Sequence, residues 1–466
     1  MKGEVQTLNL DSKTDTATEK NEITNLTTDF VGAIDPDPDV DPTPALTINI
    51  TGDKELKIAS PVLPSNAVQG VTFNAVAFTA KLDITGTDQD DTFTGGSVDN
   101  IFVGRSGNNT FTAGAGKNNF TGGKDKDTFT FAFDKFNTSA TDIDKVDGGD
   151  GIDTLRFTGT TINATTPAAL AAINGVEKVE VLGFGKQNNV VSEVTVDATK
   201  ITAVKEYDFV ADTVNLSGAA TANKFTLNKT NNNNVALNLT GKGQSVDLTL
   251  KGKVKTLNLD SRTDTATEKN EITNLTTDDT GAINPNTPAL TINITGGGEL
   301  KIASPVLPSN AVQGVTFNAG AFTAKLDITG TDQDDTFTGG TLDNIFIGRS
   351  GNNTFTAGDG KNNFTGGKDK DTFIFAFDNF DADDKVDGGD GKDTLRLTRT
   401  GTIDATTPAA LAAINGVEKV EVLGFNATTV TVDATKITAV KEYDFVADTV
   451  NLSGAATANK FTLNKT

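Results

Sequence analysis

The sequence predicts an all-β protein: a parallel β-solenoid with β-roll segments, built from two tandem, nearly identical repeats with one short helix in each. Three observations carry that prediction. A phenylalanine recurs at every ninth residue in two separate runs, the second half of the chain nearly copies the first, and short apolar–polar alternations recur about every ten residues elsewhere.

Phe93, Phe102, Phe111, Phe120 and Phe129 form the first ladder, and Phe337, Phe346, Phe355, Phe364 and Phe373 form the second. Asp or Asn stands two positions before each Phe, and the links between them are rich in Gly. Such a nonapeptide supplies a tight turn and then a short strand with one large side chain turned inward. Two nonapeptides make one coil, so Phe93, Phe111 and Phe129 are expected to stack on one wall, and Phe102 and Phe120 on the other.

The long repeat is just as plain. Residues 7–29 recur at 256–278 with only Lys13 changed, to Arg262, and residues 223–230 recur as 459–466. The unit is about 245 residues, which suits a slice of a longer array. Between the copies there is no Pro/Ser linker. Apolar pairs continue instead, at Val194/Val196, Val214/Leu216, Phe225/Leu227, Leu237/Leu239, Leu248/Leu250 and Leu257/Leu259. Asn-Gly and Asp-Gly hairpin loops are scarce, which favours a continuous stack over the alternative of β-sandwich domains interspersed with β-rolls. The expected organisation is strand-rich segments at 1–85 and 251–329, rolls at 86–158 and 330–398, and helix-plus-strand segments at 159–250 and 399–466.

Thr166 and Pro167, followed by an Ala-rich run and then Asn174 and Gly175, predict the helix of the first copy. Residues 407–416 predict that of the second. An extended, exposed loop is expected at 34–45, where proline alternates with repelling aspartates.

Composition narrows the chemistry. The chain has 466 residues, no His, no Cys, no Trp and one Met. Without His or Cys, a Ser–His–Asp hydrolase, a thiol nucleophile and a zinc–sulfur site are excluded. Two-carboxylate glycosidase chemistry remains formally open, but with no Trp and two Tyr there is no aromatic-lined sugar cleft. The chain is therefore expected not to be an enzyme. A net charge of −22 argues against nucleic acid and anionic membranes as partners and for bound cations. No apolar run is long enough to insert in a membrane as a helix.

The acidic turns are where cations are expected. Calcium takes six to eight oxygens from carboxylates and carbonyls at about 2.3–2.6 Å. Carboxylates stacked at the strand spacing of about 4.8 Å repel by roughly 3 kcal/mol per pair at an effective dielectric of 20. Asn in place of Asp keeps one oxygen and removes that repulsion. Along one edge of the first roll stand Asp91, Asn109 and Asp127, mixing charge and amide; along the other stand Asn100 and Asn118, an all-amide edge. The candidate calcium residues are Asp88, Asp91, Asn109, Asp127, Asp150 and Asp153, and their counterparts Asp332, Asp335, Asn353, Asp371, Asp390 and Asp393. The plain alternative is that all of these are turn residues without a metal.

GGDGIDTLR at 148–156 and GGDGKDTLR at 388–396 match the repeats-in-toxin (RTX) nonapeptide, Gly-Gly-x-Gly-x-Asp-x-apolar-x, at every defined position. The Phe ladders match it more loosely. The chain resembles RTX-type bacterial surface-layer proteins. That resemblance implies Ca2+ as the cofactor, an extracellular, cell-surface location and export by a C-terminal signal. The closing FTLNKT does not resemble such a signal, so a fragment is expected. The expected function is a calcium-stabilised structural repeat that assembles with itself into a surface layer or filament; the alternative is the stalk of an RTX adhesin. A cell-surface polysaccharide is a further expected partner.

Overall fold

A computed structural model describes residues 5–13, 19–28, 46–59, 61–132, 135–136, 143–159, 163–164, 173–183, 193–198, 204–217, 223–228, 234–252, 254–277, 289–303, 305–308, 311, 313–376, 379–380, 383–400, 414–425, 429–433, 440–446, 449–453 and 460–464. The chain divides into two compact units, Met1–Ala211 and Asp212–Thr466.

In the first unit the Thr-Phe-Thr pattern turns one apolar side chain inward between two polar ones, and the glycine-rich links reverse the chain between strands. Successive strands consequently alternate between two sheets. One sheet runs through Val71–Asn74, Thr92–Thr94, Thr110–Thr112, Thr128–Ala132, Thr154–Gly159 and Lys178–Gly183. The other runs through Leu56–Ile58, Leu82–Thr85, Asn100–Arg105, Asn118–Gly123, Lys145–Gly149 and Ile173–Asn174. Every pairing between these strands is parallel, as a coil of two strands requires. This is a parallel β-solenoid, and the hairpins of a β-sandwich are absent among the described residues.

The second unit repeats the arrangement. Its strands also carry the last part of the first long repeat into the second without a break: Asn234–Thr240 pairs with Thr256–Ser261, which pairs with Leu290–Gly296. Leu237 faces Leu259 and Leu259 faces Ile294, all three buried.

The interior of each roll is a double stack of rings. Phe93, Phe111 and Phe129 stack at centroid distances of 4.8 and 4.7 Å on one wall, and Phe102 stacks on Phe120 at 5.1 Å on the other. Phe93 and Phe102 meet across the core at 5.3 Å. All five are fully buried, as are Phe337, Phe346, Phe355, Phe364 and Phe373. Burial of each ring stabilises the roll by about 1.5–3 kcal/mol, and the in-register stack fixes which coil pairs with which. Outside, the half-buried Thr72, Thr92, Thr110 and Thr128 form a rank in the same register. The period-two pattern thus sorts β-branched polar residues to the surface.

The predicted helices over 166–175 and 407–416 lie outside the described residues except at their ends. There Ile173–Asn174 and Ile414–Asn415 are strands, paired with Val146 and Asp147 and with Val386 and Asp387. Ile173 and Ile414 are buried against those neighbours, so coil-to-coil pairing overrides any helical continuation at these positions. The acidic loop at 34–45 lies outside the described residues.

Candidate metal centre

Each roll has two turn edges. Along the first, a chain of backbone-to-side-chain hydrogen bonds links successive coils. Asp91 N donates to Asn109 Oδ1 at 3.0 Å, Asn109 N to Asp127 Oδ1 at 2.8 Å, and Asp127 N to Asp153 Oδ1 at 2.8 Å. Asp153 N then donates to Glu177 Oε2 at 2.9 Å. The second unit repeats this from Asp335 through Asn353, Asp371 and Asp393 to Glu418, at 3.0, 2.8, 2.7 and 2.9 Å. One oxygen of each Asx rung therefore holds its neighbouring coil in register.

The second oxygens have different surroundings. Asp91 takes Val71 N on Oδ1 at 2.6 Å and Thr87 N on Oδ2 at 2.5 Å, with the Thr87 hydroxyl near both. Asp335 does the same with Val315 and Thr331. Neither end rung has an oxygen left over. Oδ2 of Asp127, Asp153, Asp371 and Asp393, by contrast, is buried without a hydrogen-bond partner. A buried carboxylate oxygen of that kind costs free energy unless a proton or a cation meets it.

Glycine makes room beside these orphaned oxygens. A Cβ on Gly122 would collide with Asp127 Oδ2 and the Gly148 carbonyl oxygen; one on Gly148 would collide with Asp153 Oδ2 and the Gly175 carbonyl oxygen. Gly366 and Gly388 face Asp371, Gly388 O, Asp393 and Gly416 O in the same way. Each cradle thus brings a carboxylate oxygen beside a carbonyl oxygen. Electrostatics agrees. Burial first, and then the charges of Asp153 and Asp125, push Asp127 up to about 7 against the hydrogen bonds from Asn109. Asp371 is pushed up to about 7 in the same way, and Asp153 and Asp393 are raised by burial, with Glu177 and Glu418 nearby.

This donor set fits calcium, which accepts carboxylates mixed with backbone carbonyls in irregular geometry. Among the described residues no three carboxylates converge on one point, so carbonyls must supply much of any coordination. Asp127 and Asp153 with Gly148 O and Gly175 O would hold the ion in the first unit. Asp371 and Asp393 with Gly388 O and Gly416 O would hold it in the second.

The other candidates stand apart. Asp88 and Asp332 lie exposed on the turns and pair with Arg105 and Arg349 at 3.1 Å. Asp150 and Asp390 are exposed, and Asp150 N donates to Gly123 O. Asp91 and Asp335 are buried, with both oxygens taken as above. The second edge is not entirely amide: Asn100 Nδ2 donates to Asn118 Oδ1 at 2.8 Å, and Asn118 N donates to Asp144 Oδ1 at 2.7 Å. Asp144, like its counterpart Asp384, is fully buried. The signal for Asp144 was the Asp-x-apolar spacing to Val146. An insertion hides it by spreading the pairing of Phe120 with Val146 over 26 residues instead of the regular 18. Glu177 and Glu418 lie outside any nonapeptide pattern and carry no comparable signal.

Residues 94–129, 338–373 and 380–397 match the model of the RTX calcium-binding nonapeptide repeat. The chain carries RTX repeats. The matched segments contain Asn109, Asp127, Asn353, Asp371 and Asp393, which stand on the edge described above. No curated protein and no solved structure matches the chain. The RTX segments occupy the middle of each unit, flanked by solenoid coils that continue the same two-sheet winding without the nonapeptide sequence.

Proposed function

We propose that this chain is a structural repeat of an extracellular, calcium-stabilised surface layer or filament. The observation that carries the proposal is the set of orphaned, buried carboxylate oxygens in glycine cradles, repeated in both RTX rolls. Such rungs are completed by a divalent cation, and extracellular calcium would lock the roll after export. Stacked coils with regular outer faces suit lateral self-association, and the chain has no His or Cys to support the commonest catalytic arrangements. Self-association is the primary partnership in this reading, with a cell-surface polysaccharide as a further partner.

Electron microscopy of the purified chain in millimolar calcium and in chelator tests it. Ordered sheets or fibres are expected in calcium, and dispersed particles in chelator. Monodisperse rods in calcium at all concentrations would favour the adhesin-stalk alternative and count against a self-assembling layer.

A further inference from the structure

We propose that Asn109 and Asn353 make the cation unnecessary in their own rungs: the carboxamide NH2 group stands where a metal-binding carboxylate oxygen stands one coil further on. The proposal rests on the calcium reading of the Asp rungs and says which rungs of the ladder take metal.

Successive rungs on the same edge show the substitution. Asn109 Oδ1 accepts from Asp91 N at 3.0 Å, which fixes the orientation of the amide and turns Nδ2 toward its own turn. There Nδ2 donates to the carbonyls of Gly107 at 2.9 Å and Ser106 at 3.3 Å. Beside Gly104, the space a Cβ would need is taken by this Nδ2 and by Gly122 O. One coil on, beside Gly122, the two atoms are Asp127 Oδ2 and Gly148 O; beside Gly148 they are Asp153 Oδ2 and Gly175 O.

The sequence of rungs is therefore donor beside acceptor, then acceptor beside acceptor twice. Two oxygens in that position need something positive between them, whereas an amide nitrogen supplies its own protons. Asn and Asp are nearly isosteric, so exchanging one oxygen for NH2 decides between a self-sufficient rung and a metal-dependent one. In the second unit Asn353 Nδ2 lies beside Gly366 O and donates to Gly351 O at 3.0 Å, whereas Asp371 and Asp393 present Oδ2 beside Gly388 O and Gly416 O. Both rolls thus place a metal-free amide rung between the capped Asp end rung and the Asp pair that takes the metal.

Two double variants of the full chain test this, with calcium chloride as the probe. Bound calcium per chain is measured by equilibrium dialysis, and melting by circular dichroism with and without chelator. Asp127→Asn with Asp371→Asn is expected to bind fewer ions than the wild type, to remain folded in chelator and to gain less in melting temperature from calcium. Asn109→Asp with Asn353→Asp is expected to bind more ions and to lose more in chelator. Unchanged uptake in either pair overturns the inference while leaving wild-type calcium binding in place. An Asp127→Asn, Asp371→Asn chain that no longer folds overturns it as well, because the amide would then fail at a rung where it should suffice. A wild type that takes up no calcium overturns the calcium reading, and this inference with it.

Discussion

Phe111→Ala is expected to destabilise the first roll by about 3–5 kcal/mol, the usual cost of emptying a fully buried ring site. Phe111 stacks on Phe93 at 4.8 Å and on Phe129 at 4.7 Å and meets Phe120 at 5.6 Å across the core. The cavity would be walled by rings held in strand register, so it has little freedom to collapse. Phe111→Leu keeps most of the volume and should cost only about 1.5 kcal/mol. Because coils in a solenoid contact mainly their neighbours, the damage should be local. Denaturant melts should show an early transition for the first unit and an unshifted one for the second, with Phe355→Ala giving the mirror image. An Ala variant that melts with the wild type would mean that the ring stack is not what holds the coils together.

Calcium removal should have the next largest effect, and its size should depend on pH in a definite direction. Without a cation, Asp127 and Asp371 have folded-state values of about 7, against an unfolded value of about 3.9. Between those limits the folded state binds more protons than the unfolded one. Stability of the calcium-free protein should therefore fall as pH rises from about 4 through about 7. Calcium binds the deprotonated carboxylates and stabilises by mass action, so its benefit should grow over the same window. Asp91 and Asp335, also pushed up to about 7 by burial, bias the slope the same way, but their oxygens are already taken and should not respond to calcium. Circular dichroism melts of calcium-free protein near pH 5 and pH 7.5, each with and without added calcium, measure both effects. A melting temperature that ignores both pH and calcium would show that the orphaned oxygens are satisfied some other way.

Much of this architecture was legible in the chain. A nine-residue period with a single large apolar residue leaves a coil few alternatives, since a shift of one residue would expose every ring. The parallel winding, the two walls of rings and the continuity from Leu237 to Leu259 follow from that period and from the evenly spaced apolar pairs. The presence of RTX turns was legible from Gly388 to Arg396, where the glycines and the aspartate fall at every required position.

Which carboxylates keep an oxygen without a hydrogen bond was decided only by the stacking of coils. Asp91 and Asp127 look alike in sequence, yet Thr87 and Val71 close off the first while the second is left with an oxygen beside Gly148 O. Asp88 is a candidate by sequence, and its turn sets it outside, opposite Arg105. Asp144 and Glu177 reach their rungs over spacings of 26 and 24 residues that no fixed period predicts. The physical reason is the same in each case. A side chain's inward or outward direction depends on its own strand, which local sequence encodes. The satisfaction of its second oxygen depends on which backbone group the next coil brings alongside, and insertions between coils change that without altering the local pattern.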